Sequence, residues 1–197
     1  QRALDHIDRA IARNPGSAAY FSNRGNVLKS LMRLDDALAS HDRAIALNPR
    51  FAEAHNNRGN VLKELGRLDD ALTSYERAIA LVPDFADALT NKASALAALK
   101  CFEEALTIYD RTIALRPDHA DAHNNRGNVL RNMGRLNDAL ASYETAIDLR
   151  PDHASAHNNR GNVLKDLGRL DDSLKSFDLA ISLQPALADA HGNRGNV

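Results

Sequence analysis

The chain has 197 residues, with 25 Lys plus Arg against 26 Asp plus Glu, so its formal net charge is −1. That balance speaks against a nonspecific binder of nucleic acid or anionic membrane, which needs a basic field, and a 44% hydrophobic content speaks against disorder. No apolar run reaches the roughly 18 residues of a membrane-spanning helix, and the single cysteine, Cys101, allows neither an internal disulfide nor a paired-cysteine metal or redox site.

A period of 34 residues governs everything else. Pro15, Pro49, Pro83, Pro117, Pro151 and Pro185 are each 34 apart. The string Arg-Gly-Asn-Val begins at Arg24, Arg58, Arg126, Arg160 and Arg194, and Ala-His-Asn-Asn-Arg-Gly-Asn-Val-Leu begins at Ala54, Ala122 and Ala156. Residues 1–17 read as the second half of a unit. Full units follow at 18–51, 52–85, 86–119, 120–153 and 154–187, and 188–197 opens another. The whole is expected to be one solenoid over 1–197. A break inside a unit at both ends is what a piece of a longer protein would show.

Each unit predicts two helices. In 52–85 the first carries Ala54, Val61, Leu62 and Leu65 at helical spacing and ends at Gly66, a residue that tolerates positive φ. The second carries Ala71, Leu72, Tyr75, Ala78, Ile79 and Leu81 and stops before Pro83. Asp69 and Asp84 are the expected N-caps of the second helix and of the next unit's first helix. Gly59, Ala71 and Ala78 are small enough to let helices approach closely. Unit 86–119 departs most, with Ala93 for the first Gly, Lys100 for the second and Thr112 for the second Ala.

Residues Gly59, Ala71, Tyr75, Ala78 and Pro83, and their equivalents Gly127, Ala139, Tyr143, Ala146 and Pro151, resemble the tetratricopeptide repeat in identity and spacing. The family's usual Trp is replaced by Phe21, His55, Leu89, His123, His157 and His191. The resemblance implies an all-α fold, an α-solenoid of helical hairpins stacked into a right-handed superhelix with the first helices lining its concave face.

No nucleophile elbow, phosphate loop or H-E-x-x-H motif is present, so the chain does not read as an enzyme, and no cofactor is expected. His119 and His123, and His153 and His157, have the spacing of four that can hold a metal on one helix face. His119 and His153 fall in turns, however, and the recurrent histidines read better as packing residues, so no metal is expected.

The asparagines are the sharper signal. Asn23, Asn57, Asn91, Asn125, Asn159 and Asn193 fill one repeat position without exception. A second row, three residues on, holds Asn26, Asn60, Asn128, Asn162 and Asn196, with Ser94 in the divergent unit. Asparagine is a mediocre helix former, and a spacing of three puts both rows on one face. A primary amide carries donors and an acceptor together, so a ladder of them can grip the backbone of an extended peptide. With Lys63, Arg131 and Lys165 one turn beyond, alongside Lys29, the two rows make the candidate peptide-binding face. In the competing reading one asparagine row stitches adjacent repeats by helix-to-helix hydrogen bonds, and the second row is the one expected to do so. Acidic neighbours such as Glu64 and Asp166 make the groove mixed in charge, with local helix pairs expected. The arginine row Arg24, Arg58, Arg126, Arg160 and Arg194, with Lys92, lies beside the apolar face and is expected to pack its stem and reach an acidic residue. Cys101 reads as a bystander thiol.

The function these features imply is binding of other proteins or extended peptides, without nucleic acid or membrane, in a cytoplasmic protein. One subgroup of the family grips C-terminal carboxylates through Lys and Arg. The corresponding positions here hold Ser22, Asn56, Thr90, Asn124 and Asn158 or the acidic Glu53, Asp87 and Asp121, so that clamp is not met. The unbroken first row is also similar to the superhelical arm of O-linked N-acetylglucosamine transferases and bacterial relatives. That resemblance implies a substrate-recognition arm whose catalytic domain lies outside this sequence. A third reading is a scaffold that self-associates by end-to-end stacking, through apolar surface left open by Leu4, Ile7 and Ile11 at the front and Val197 at the back.

Overall fold

The computed structural model describes residues 2–197, which form twelve α-helices and, among those residues, no strand. They fall into two compact units, Gln1–Lys100 and Cys101–Val197, and the divide lies between the two helices of the divergent repeat. The first unit contains α1 (Arg2–Arg13), α2 (Ala18–Ser30), α3 (Leu34–Leu47), α4 (Ala52–Glu64), α5 (Leu68–Leu81) and α6 (Ala86–Ala98). The second contains α7 (Phe102–Leu115), α8 (Ala120–Asn132), α9 (Leu136–Leu149), α10 (Ala154–Asp166), α11 (Leu170–Leu183) and α12 (Ala188–Gly195).

Within each unit the packing follows one rule. Each helix packs on the next in sequence, and each repeat's first helix also packs on the first helix of the following repeat: α2 on α4 and α4 on α6, then α8 on α10 and α10 on α12. The architecture is therefore a stack of helical hairpins in both units, the α-solenoid the sequence predicts. A hairpin of this size buries too little apolar surface alone, and stacking supplies the rest.

Side-chain size at the helix crossings explains why the hairpins close. Tyr75, Tyr109, Tyr143 and Phe177 are at most 1% exposed and share one repeat position with His41. Gly59 lies so close beneath the Tyr75 ring that a Cβ on it would come within 2.5 Å of Cε1. The ring fills the space that the missing side chain leaves, and Leu62, Ala71 and Ala95 pack beside it in the buried cluster. Leu4, Leu28, Ala37 and Val61 form the corresponding cluster nearer the chain's start.

The helix ends agree with the sequence in one respect and correct it in another. Gly66 takes φ +75°, its N–H bonds to Lys63 O, and Arg67 N–H reaches back to Leu62 O at 2.9 Å. That is a left-handed cap that satisfies the last carbonyls of α4. Met32 and Lys100 hold the same position at φ 58° and 64° without being glycine. The expected caps Asp69 and Asp84 are not caps. The residues at those positions are Arg67 and Phe85, neither of which makes a side-chain cap bond. Because α5 begins at Leu68, Asp69 lies inside its first turn, where a negative charge complements the unpaired N–H groups.

Candidate functional site

The asparagine rows lie on the first helices, three residues apart on one face. Asn57, Asn91, Asn125, Asn159 and Asn193 are half-buried, and Asn23 is exposed. Their bonds show that the first row joins neighbouring repeats. Asn91 Nδ2 donates to Asn56 Oδ1 at 3.0 Å, Asn159 Nδ2 to Asn124 Oδ1 at 3.0 Å, and Asn193 Nδ2 to Asn158 Oδ1 at 3.1 Å. The acceptors Asn56, Asn124 and Asn158 are 6–7% exposed. Asn124 Nδ2 in turn donates to Asn125 Oδ1 at 3.2 Å, so the bonds run from one residue to the next.

The second row does something different from what the sequence predicts. Asn60 Oδ1 accepts from the Tyr75 hydroxyl at 2.9 Å, and Asn128 Oδ1 from that of Tyr143 at 2.8 Å. These bonds hold a repeat's own two helices together, so the expectation that this row stitches adjacent repeats is corrected. A buried phenol needs an acceptor, and an amide oxygen one residue past the small Gly supplies it. Asn162 is 9% exposed, and the residue in register with Tyr75 and Tyr143 in its repeat is Phe177, which has no hydroxyl; Asn26 and Asn196 are exposed. Ser94 takes the row's place in the divergent repeat.

Five of the six first-row amides, all but the exposed Asn23, therefore spend one of their hydrogen-bonding capacities within the fold. Asn57 and Asn125 accept through Oδ1 and keep both N–H groups, while Asn91, Asn159 and Asn193 donate once and keep the carbonyl and one N–H. Between α2 and α4, Asn57 borders an open groove of about 490 Å³, lined also by Asn26, Lys29, Ser30, Met32 and Glu64.

The cations one turn beyond are not paired within their own helices, as local helix pairs would be. Lys29, Arg131 and Lys63 reach across to the next repeat. Lys29 Nζ lies 3.0 Å from Glu64, and Arg131 Nε lies 3.0 Å from Asp166, both 35 residues away. Lys63 has no such acid at position 98, which is Ala, and among the described residues its Nζ bonds only Ser94 Oγ, at 3.4 Å. Burial, with Lys29 nearby, pulls its pKa below the ordinary lysine value, while Glu64 opposes the shift. Lys165 is half-buried on α10. Asp121 is gripped by both Arg150 nitrogens, at 2.8 and 3.1 Å, with His153 Nε2 at 3.2 Å. The Arg150 bonds hold its carboxyl below the usual carboxylate range.

The other recurrent residues join repeats on the far side of the first helices. Arg58 Nε bonds Asp42 of the preceding repeat at 2.6 Å and its Nη1 bonds Ser74 Oγ at 2.7 Å. Arg24 and Arg126 do the same with Asp8 and Ser40, and with Asp110 and Ser142. The predicted reach of this row to an acid is thus present at these three, at Arg194 with Asp178 and at Lys92 with Glu76 at 3.0 Å, whereas Arg160 bonds Ser176 Oγ and, among the described residues, no acid. The serines are an addition that the sequence does not predict. Histidines in the family's Trp position donate Nε2–H to the closing proline's carbonyl: His55 to Pro49, His123 to Pro117, His157 to Pro151 and His191 to Pro185, at 2.8–3.1 Å. An imidazole there packs as an aromatic would and also satisfies a turn carbonyl. Among the described residues no group of three or more His, Cys, Asp or Glu is gathered to hold a metal. Likewise, no helix among them is long and apolar enough to cross a membrane. Cys101 is exposed at the start of α7.

Asn56, Asn124 and Asn158 are site residues that sequence reasoning misses. The available signal is the Asn-Asn pair at 56–57, 124–125 and 158–159, which sets a second amide beside the first row in three of the units.

A stack of two-helix units with this spacing, these small crossing residues and these inter-repeat bonds defines a helical-repeat solenoid protein. The chain belongs to the tetratricopeptide repeat family, a fold that serves as a scaffold for protein–protein interaction. The TPR repeat model matches residues 25–66 and 127–168, and other tetratricopeptide repeat models match 58–120, 108–141 and 154–187. Among solved structures the chain is similar to YrrB, described as a TPR protein with an unusual peptide-binding site, at 27% identity and TM-score 0.66, over 98% of this chain and 100% of that one. It is also similar to TTC0263, a thermophilic TPR protein of Thermus thermophilus, at 24% identity and TM-score 0.81, over 91% and 98% of the two chains. The Cut9–Hcn1 structure of the APC/C shares the fold at 17% identity and TM-score 0.90, over 96% of this chain and 38% of that one. No protein of curated function matches the chain.

Proposed function

We propose that the chain is a non-catalytic binding module that holds extended peptide segments of other proteins on its first-helix face. The observation that carries this reading is the unbroken first row of asparagines. Each is anchored by one bond or left exposed, and each retains donors or a carbonyl. An anchored amide has already lost much of its side-chain freedom, so gripping a peptide costs it little further entropy. An extended backbone offers N–H and C=O groups along its length, and amides can meet them whatever the side chains are. The similarity to YrrB, described as having a peptide-binding site, supports the same reading.

The test uses Asn57→Ala combined with Asn125→Ala, because these two do not supply the donors that join the repeats. Peptides of random sequence are selected on the unmodified chain and their affinities measured by fluorescence anisotropy. The double variant is expected to bind at least about 10-fold more weakly with a nearly unchanged helical melt. Unchanged binding, or a collapse of the melt with binding intact in the folded fraction, overturns the proposal.

A further inference from the structure

We infer that Lys63 is the subsite for an acidic side chain of the bound peptide. This rests on the peptide-groove reading above and specifies what that groove selects. The inference comes from a defect in an otherwise regular pattern. In the first groove of the Gln1–Lys100 unit, Lys29 of one repeat is neutralised by Glu64 of the next at 3.0 Å. In the Cys101–Val197 unit, Arg131 is neutralised by Asp166 in the same way. Lys63 occupies the position equivalent to Lys29, one repeat on, and the residue that would neutralise it is Ala98. Ala98 is exposed, so the missing carboxylate leaves open surface and not a packed contact.

The groups around that gap are donors. By the 34-residue register, the groove that Asn26, Lys29, Asn57 and Glu64 line between α2 and α4 is lined between α4 and α6 by Asn60, Lys63, Asn91 and Ala98. Asn60 has committed its oxygen to the Tyr75 hydroxyl, which leaves its N–H groups. Asn91 has committed one N–H to Asn56 and retains another. Lys63 carries three N–H donors, and its one bond among the described residues, to Ser94 Oγ, is long at 3.4 Å. A half-buried ammonium beside amide donors, with no carboxylate among the described residues bonded to it, matches an anion and disfavours a cation. A side-chain carboxylate fits better than a chain end. The groove is open along its length, and the asparagine row runs on both sides of Lys63 within the unit, at Asn23, Asn57 and Asn91, so a peptide held by that row continues past this point.

The experiment selects 12-residue peptides from a random display library, N-acetylated and C-amidated for the binding measurements. Selection is run on the unmodified chain, on Lys63→Met and on Ala98→Glu. The last supplies the missing carboxylate from within, as Glu64 does for Lys29, without removing any donor. Expected are peptides with Asp or Glu enriched at one position, and a loss of about 10-fold in affinity when that residue becomes Gln or Asn. Both variants should bind the acidic and the amide peptide equally. Binding peptides without acidic enrichment, or with an acid preference that survives in both variants, overturn the Lys63 assignment and leave the asparagine groove standing. Peptides that bind only with a free C-terminus overturn it in favour of a chain-end carboxylate. Failure to select any peptide overturns the groove reading together with this one.

Discussion

Asn159 donates its amide N–H to Asn124 Oδ1 at 3.0 Å, which ties α10 to α8 across the boundary between two repeats. Asn124 is only 6% exposed, so the bond is made where water competes little. Replacing Asn124 by Ala leaves Asn159 without its acceptor and Asn125 without its donor, and is expected to cost about 1–2 kcal/mol. Asn23→Ala, at the exposed member of the row that holds Asn125 and Asn159, is expected to stay within about 0.5 kcal/mol. Urea denaturation followed by circular dichroism compares the two. Equal costs would show that the bond between repeats contributes nothing.

His41 holds the place that Tyr75, Tyr109, Tyr143 and Phe177 fill elsewhere. It is fully buried, and neither ring nitrogen has a hydrogen-bond partner. Burial lowers its pKa to about 4; Asp42 opposes that shift and Lys29 adds to it. Between the unfolded value near 6.5 and about 4, the unfolded chain binds a proton that the folded chain does not. Stability from this group is therefore complete above the unfolded value and is lost as pH falls towards 4, by up to about 3 kcal/mol. His41→Tyr places a hydroxyl where Asn26 stands in register with Asn60, and is expected to flatten that slope. Thermal melts of both proteins from pH 7 to pH 4 decide it. Parallel curves would remove His41 as the source.

The repeat, the two helices per repeat, the small crossing residues and the glycine cap at Gly66 were all legible, because each depends on spacing along one chain segment. The roles of Asn56 and of the two asparagine rows were not. Asn56 meets Asn91, 35 positions away, and a period of 34 shows which residues are equivalent without showing which touch. The second row misleads for a related reason. Its partner is the Tyr75 hydroxyl within the same repeat, and hydrophobic periodicity treats tyrosine as an apolar residue. The capping aspartates failed because helix starts are set by backbone geometry. That geometry places Asp69 one residue inside α5, where it acts by charge alone.

Lys100 sits at φ 64°, in the left-handed region where Gly66, Gly134 and Gly168 serve the other repeats. A Cβ there crowds the following carbonyl, at about 1–2 kcal/mol, and glycine's extra freedom when unfolded offsets part of that gain. Lys100→Gly is thus expected to stabilise the chain by about 0.5–1 kcal/mol, and Met32→Gly, at φ 58°, by a similar amount. A lower denaturation midpoint for both variants would mean that the lysine and methionine side chains contribute packing that outweighs the backbone cost.

Gly127 tests how the hairpin closes. A Cβ built there lies 2.6 Å from Tyr143 Cε1, and the ring is fully buried with its hydroxyl bonded to Asn128. The ring cannot step aside without stretching that bond, so the helices must part. Gly127→Ala alone is expected to cost about 1–3 kcal/mol by overpacking, against the small gain alanine brings to an exposed helix. Combining it with Tyr143→Leu removes the ring that the added methyl group would strike, so the two substitutions should be less damaging together than their separate costs predict. A double-mutant cycle on chemical denaturation measures that coupling. Strict additivity would show that the glycine is not there to admit the ring.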